Sequence, residues 1–304
     1  MVNLPKDFNW QEYLFLNPDL GRVGIHTEEG AKRHWLRFGR NEHRQYLKEK
    51  PVANLAYSPL QIKNTTVKRN QTGNKVLVLF HCFYLDVIDE ICSYIKNLNN
   101  IDIYINVVSN GPDDPDEMTK RLESQLYGYN FKIFKQENRG RDIGGFVSLL
   151  SNIDLKEYSK AFLVHTKKSP HLKENTSKNW RKNLLSAILL DKSVANQTLK
   201  LLDTHGIVCT SKHISRSIGS NKEYFEDILS KLSINNREIE FLAGTMFACK
   251  TDILIPIKEC LEFSNFEKGN YQNLNFNTDG QLAHAVERVF FNICKELKYP
   301  IYLV

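Results

Sequence analysis

Glu137-Asn138-Arg139-Gly140-Arg141-Asp142-Ile143-Gly144-Gly145-Phe146 is the segment around which the rest of the chain is organised. A short β-like run, Phe131 to Phe134, precedes it, and an apolar stretch, Phe146 to Leu150, follows as the opening of a helix. Gly140, Gly144 and Gly145 permit backbone conformations and close approaches that a side chain would block. Two arginines and an aspartate stand among them, groups that bind phosphate, sugar hydroxyls or each other. A strand followed by such a loop is where an open α/β sheet binds its ligand. The same residues also fit a tight turn whose Arg and Asp pair on the surface, because a glycine-rich loop is a weak signal alone.

Working outward, strand and helix patterns alternate. Val76 to Phe80 is a continuous β-branched and aromatic run, as in a strand buried on both faces. Apolar residues at 87, 88, 91, 92, 95 and 98 form a helical stripe. Ile101 to Val108 reads as the second strand, Glu117 to Leu126 as a helix, and Phe131 to Phe134 as the third strand. Ala161 to Val164 supplies a further buried strand. This alternation predicts an α/β fold, a Rossmann-type, mostly parallel sheet flanked by helices.

Polar clusters stand where these strands end. His165-Thr166-Lys167-Lys168-Ser169-Pro170-His171 suits a diphosphate, or is a solvated basic turn. Trp180-Arg181 sits at the expected start of a helix running to Leu190, and Ile207 to Cys209 is a short strand. Glu240 to Ala248 reads as a strand or strand pair broken at Gly244-Thr245, with Met246 following, where a ligand can approach backbone closely. Asp279-Gly280 precedes a helix, Gln281 to Leu297, on which His284 and Arg288 share a face with Glu287 beside them; a surface ion pair is the alternative reading.

Residues 1–46 read as a small helical module built on Phe8, Trp10, Tyr13, Leu14, Leu16, Ala31 and Trp35, with Pro18 at a break or helix start, Thr27 as an N-cap and Gly39 as a stop. His26, His34 and His43 are read as surface or capping residues before metal ligands. Residues 47–74 are polar and read as a linker, and 75–304 as the main domain. The net charge of +6 over 304 residues suits anionic substrates or an anionic membrane surface; it is too weak to imply nucleic acid without a recognition motif, and no nucleic-acid partner is expected. Six cysteines without a C-x-x-C pair read as buried free thiols in a reducing compartment. No run suits a membrane span or secretory signal, so the expected location is cytoplasmic, with contact at the inner face of the membrane allowed.

Together, Glu137–Gly144, His165–Ser169, Trp180-Arg181, Ala243–Phe247 and Asp279–Arg288 resemble, in this order, the rhamnan synthesis protein F family of bacterial polysaccharide glycosyltransferases, over roughly residues 75–300. The helical module resembles Trp/Tyr-rich segments found beside glycosyltransferase domains. Gly145 departs from the proline that family members often carry, with a looser loop as the expected consequence. The resemblance implies a GT-A-like domain that moves rhamnose or a related hexose from a nucleotide sugar to a growing cell-surface glycan, of the rhamnan, lipopolysaccharide or capsule kind. The acceptor would be a glycan or a lipid-linked saccharide, and other polysaccharide-assembly enzymes are the expected protein partners. Donor binding falls to Asn138, Arg139, Gly140, Arg141, Asp142, Gly144, His165, Thr166, Lys167, Lys168 and Ser169. Sugar or acceptor binding falls to Trp180, Arg181, Gly244, Thr245, Met246, His284 and Arg288. Asp279 is the expected base, with Glu287 next. A divalent metal, Mg or Mn, normally rests on a D-x-D motif in such folds, and the strand end after Val164 has none, which leaves metal use open; Asp113-Asp114-Pro115-Asp116 is the alternative, or simply an acidic turn. The competing readings are a non-catalytic carbohydrate-binding or assembly module and a nucleotidyl- or phosphotransferase.

Overall fold

The computed structural model describes residues 4–5, 8–42, 44, 46, 75–166, 168, 174–269 and 279–304. The expected linker at 47–74, and His43, Lys167, Ser169 and His171, lie outside the described residues. The chain divides into two compact units, one drawn from residues before 57 and one from 57–271 and 279–304.

The first unit holds α1 (Trp10–Leu16), α2 (Asp19–Arg22) and α3 (Glu28–His34), the last running into a π-helical turn, Trp35–Gly39. Asn9 caps α1 by accepting from the Gln11 and Glu12 backbone N–H groups, and Thr27 caps α3 by accepting from Gly30. Tyr13, Leu20, Ala31 and Trp35 form its core, lined by Phe8, Trp10, Leu14 and Tyr46. The Tyr13 hydroxyl hydrogen-bonds His34 Nδ1 at 2.8 Å.

The second unit is built on a seven-stranded sheet. Its strands are β1 (Lys75–Cys82), β2 (Ile101–Val108), β3 (Asn130–Gln136), β4 (Tyr158–His165), β5 (Ile207–Cys209), β8 (Phe247–Lys250) and β9 (Ile301–Leu303), while β6 (Ile214–Ser215) and β7 (Phe241–Leu242) pair separately. The order is β3-β2-β1-β4-β8-β5-β9. The first four strands are mutually parallel, and β8 runs antiparallel between β4 and β5. Strand β2 is buried along its whole length and β1 at all but its first residue, as their continuous apolar runs require. The helices are α4 (Ile88–Ile95), α5 (Pro115–Gln125), α6 (Arg141–Leu150), α7 (Glu174–Leu189), α8 (Lys192–Leu201), α9 (Lys222–Lys231), α10 (Ile255–Cys260) and α11 (Leu282–Glu296). The stripe Val87, Ile88, Ile91, Cys92, Ile95 and Leu98 is buried throughout, and all six cysteines are buried and free.

Two boundaries and one packing detail differ from expectation. The stretch read as a glycine loop is largely helix, since α6 begins at Arg141, five residues before Phe146. Trp180 and Arg181 lie inside α7 and not at its start, because the polar residues from Glu174 onward are already helical. Gly145 does not loosen anything: it is buried within α6, and a Cβ there would collide with the His81 ring and the Asn106 amide.

Candidate active site

The carboxyl edge of the parallel half-sheet carries a polar row. Asn106 on β2, His81 on β1 and His165 on β4 are register partners, so all three side chains share one face. Asn106 donates to His81 Nδ1 at 3.0 Å. Burial pushes the His81 imidazole down to about 4, so it is neutral. Helix α6 lies against this row, with Phe146 edge-on to both histidines at 6.5 and 6.3 Å. Gly144 and Gly145 allow the approach, for a Cβ at Gly144 would strike the Arg139 carbonyl.

The turn into α6 is held from the other side by the segment around Phe266. Gly140, at φ 65°, donates its N–H to the Glu267 carbonyl at 3.0 Å, and Gly269 donates to the Asn138 carbonyl at 2.8 Å. Arg139 reaches across to this segment. It holds Glu137 at 2.9 Å and the Phe266 carbonyl at 2.8 Å, which makes it a clamp for this turn. Arg141 follows with φ 56°, a left-handed conformation that costs a residue with a Cβ about 1 kcal/mol or more. Its guanidinium is desolvated, which lowers its affinity for the proton, and Asp142, Glu287, Glu267 and Tyr84 oppose that effect with their charges.

The far wall comes from β4, the β7–β8 turn and α11. His165 Nε2 donates to the Gly244 carbonyl at 2.8 Å and stands 3.5 Å from Asp142 Oδ2. Gly244 and Thr245 both have positive φ, 106° and 48°. This kink turns the Gly244 N–H and the Thr245 hydroxyl onto Glu287 Oε1, at 2.7 and 3.1 Å. Met246 is fully buried in the core behind the kink. Trp180 Nε1 donates to the Ala243 carbonyl at 3.2 Å, and its ring stacks on His213.

Other expected site residues are engaged elsewhere. Thr166 accepts from the Phe83 and Tyr84 N–H groups at 2.7 and 3.0 Å, tying the ends of β4 and β1 together. Arg181 binds Glu90 of α4 at 2.5 Å. Lys168 pairs with Asp86 and lies over the Tyr84 ring at 4.9 Å. Asp279 takes the Ser220 N–H at 2.7 Å, the Asn221 amide and Arg288 at 3.3 Å. Burial opposes its ionisation, but those donors and the charge of Arg288 prevail and hold it below the usual carboxylate range. Arg288 also lies over the Phe241 ring and donates to the Ser217 carbonyl at 3.1 Å.

Among the described residues, the end of β4 offers a divalent metal no carboxylate. His165 and Thr166 stand where a carboxylate pair would be needed, and both already bond within the protein. Asp113 accepts from the Leu85 N–H, Asp114 caps α5 and Asp116 pairs with Lys135, the pattern of an acidic turn. Among the described residues no group of three or more His, Cys, Asp or Glu is placed to hold a metal ion.

Glu267 is the site residue that the sequence reading passes over. Its Oε1 accepts from the Tyr224 hydroxyl at 3.1 Å and from the Leu282 N–H at 3.2 Å, and its charge acts on Arg141. Nothing marks it in Asn265-Phe266-Glu267-Lys268, since long-range bonds from two helices give it its place. Asn106 Oδ1, Asn138 Oδ1, Glu267 Oε2 and His284 Nε2 are buried in these segments without a hydrogen-bond partner in the protein. Buried polar atoms are rarely left so, which makes these segments the candidate site.

A family model described as rhamnan synthesis protein F matches residues 48–299. An uncharacterized protein, WxcX, of Xanthomonas campestris pv. campestris is 27% identical over 220 residues, in each of two strains. The match covers 69% of this chain and 30% of that protein, so the chain spans less than a third of the curated relatives it matches. No helix among the described residues is long and apolar enough to cross a membrane.

Proposed function

The chain belongs to the rhamnan synthesis protein F family, whose business is polysaccharide synthesis, and from that premise we propose that it is a nucleotide-sugar-dependent glycosyltransferase of GT-A-like architecture. The observation that carries the proposal is the gathering of Arg141, Asp142, His165, Glu267, His284 and Glu287 at the carboxyl edge of a parallel half-sheet, where open α/β folds hold ligands. The donor diphosphate lies against the start of α6, with Arg141 as its counter-charge as it departs. Gly140, Gly144 and Asn138 shape that turn, and Arg139 braces it. Lys168 follows β4 and pairs with Asp86 beside the same edge. Trp180, Gly244 and Thr245 make the side on which sugar is held.

In an inverting transfer the acceptor oxygen forms its bond to the anomeric carbon as the bond to the diphosphate breaks, and its proton passes to a carboxylate. Glu287 suits that role better than Asp279. It lies within the field of Arg141 and on the Gly244–Thr245 kink, whereas Asp279 is committed to the join between α9 and α11. The acceptor is a growing glycan or lipid-linked saccharide. The test is nucleoside diphosphate release over a panel of nucleotide sugars, with Glu287→Gln expected to slow turnover by about 10²- to 10⁴-fold while leaving donor affinity near wild type. Equal turnover in the folded variant would remove Glu287 from the chemistry.

A further inference from the structure

One polar atom in this site is in a condition that the fold does not explain. His284 lies in the first turn of α11, 9% exposed, and its Nδ1 accepts the Gln281 backbone N–H at 3.3 Å. A neutral imidazole that accepts at one nitrogen carries its proton on the other, so Nε2 is an N–H donor. That Nε2 is buried and meets no acceptor within the protein. The capping bond fixes the ring, so it does not turn to find one.

The surroundings state what the donor awaits. After burial, the charge of Arg141 acts on the ring most strongly, ahead of Asp279, Arg288 and Asp142. Burial and Arg141 together push the imidazole down to about 4, which keeps it a donor and not a cation at neutral pH. Arg141 itself is held in a left-handed conformation at the N-terminus of the ten-residue α6. A guanidinium, a helix N-terminus and a lone imidazole N–H have one complement in common, an oxygen that bears negative charge.

We infer that Arg141 and His284 Nε2–H form an oxyanion subsite that takes an oxygen of a diphosphate group. This deepens the donor reading above and rests on it for the identity of the anion. Two compounds of that chemistry enter such a reaction, the nucleoside diphosphate of the donor and the diphosphate of a lipid-linked acceptor. His284 is therefore a binding residue for phosphoryl oxygen, not a proton carrier.

The test uses the full chain labelled with ¹⁵N-histidine, with the His284 Nε2 signal assigned by its loss in His284→Gln. Inorganic pyrophosphate, nucleoside diphosphates and a short-chain prenyl diphosphate are titrated separately, and sugar transfer is assayed on the same sample. The expected result is movement of the His284 Nε2 signal by at least one of these. In calorimetry His284→Phe, which keeps ring shape without the donor, weakens that ligand roughly tenfold or more, and His284→Gln, which keeps an N–H donor, weakens it far less. A nucleoside diphosphate moving the signal places the donor there, and the prenyl compound alone places the acceptor there. No movement with any of the three overturns the subsite, and it does so even if transfer is observed, in which case the transferase reading stands. Movement by pyrophosphate without transfer from any donor supports the subsite and counts against the transferase reading.

Discussion

Replacing Asp279 by asparagine separates a base from a brace. In the wild type, Oδ2 accepts the Ser220 N–H at 2.7 Å, and Oδ1 accepts from the Asn221 amide and from Arg288 at 3.3 Å. Asparagine keeps one acceptor and turns the other into a donor. Whichever way the amide faces, a donor meets a donor, at Ser220 or at Asn221 and Arg288. Hydrogen bonds to a charged group contribute about 1.5–3 kcal/mol each. With 28% of the Asp279 side chain in solvent and some relaxation, a loss of about 2–4 kcal/mol is expected. For a unit of this size that lowers Tm by roughly 5–12 °C. Turnover measured well below Tm should fall no more than severalfold, against the 10²-fold or greater loss expected of a missing base. Thermal melting and single-turnover kinetics on the same preparation decide the matter. A variant that melts like wild type and yet turns over about 10³-fold more slowly would refute the reasoning and restore Asp279 as the base.

Three further outcomes follow from the same geometry. The depressed titration of Asp279 contributes stability that is fully present above the ordinary carboxylate range and is lost as pH falls through its lower folded-state value, so acid unfolding of Asp279→Asn should show a shallower dependence below about pH 4, read by circular dichroism. Gly145→Ala drives a methyl into His81 and Asn106 and should cost about 1–3 kcal/mol by denaturant titration; an unchanged midpoint would show that α6 has room to shift. A chain beginning near Gly73 should stay soluble and melt cooperatively, since the aromatic cluster of the first unit is built from its own residues, and aggregation on expression would move that boundary.

The parallel half-sheet was legible because β1, β2 and β4 are buried on both faces and so read as unbroken apolar runs, and the α4 stripe because only one of its faces is buried. Thr27 was legible as a cap because capping is local chemistry. The glycines of α6 misled because a sequence shows freedom and not contact: Gly144 and Gly145 serve a helix pressed onto Arg139 and His81. Arg181 attracted notice as a ligand-binding group although Glu90, far off in sequence, takes its charge. Glu267 left no trace, for its partners Tyr224, Leu282 and Arg141 are joined to it by the fold alone. The strand β9 was missed because a three-residue terminal strand carries too little pattern to declare itself.

The central claim, that the edge formed by α6, β4 and α11 holds a nucleotide-sugar donor for transfer, is tested most directly by titrating a panel of nucleotide sugars into the wild-type chain and into Arg141→Ala by calorimetry. At least one donor should bind the wild type, and the same donor should bind the folded variant roughly tenfold or more weakly, through loss of the charge-assisted contact to its diphosphate. A donor bound equally well by both proteins, or no binding by any member of the panel, would contradict it.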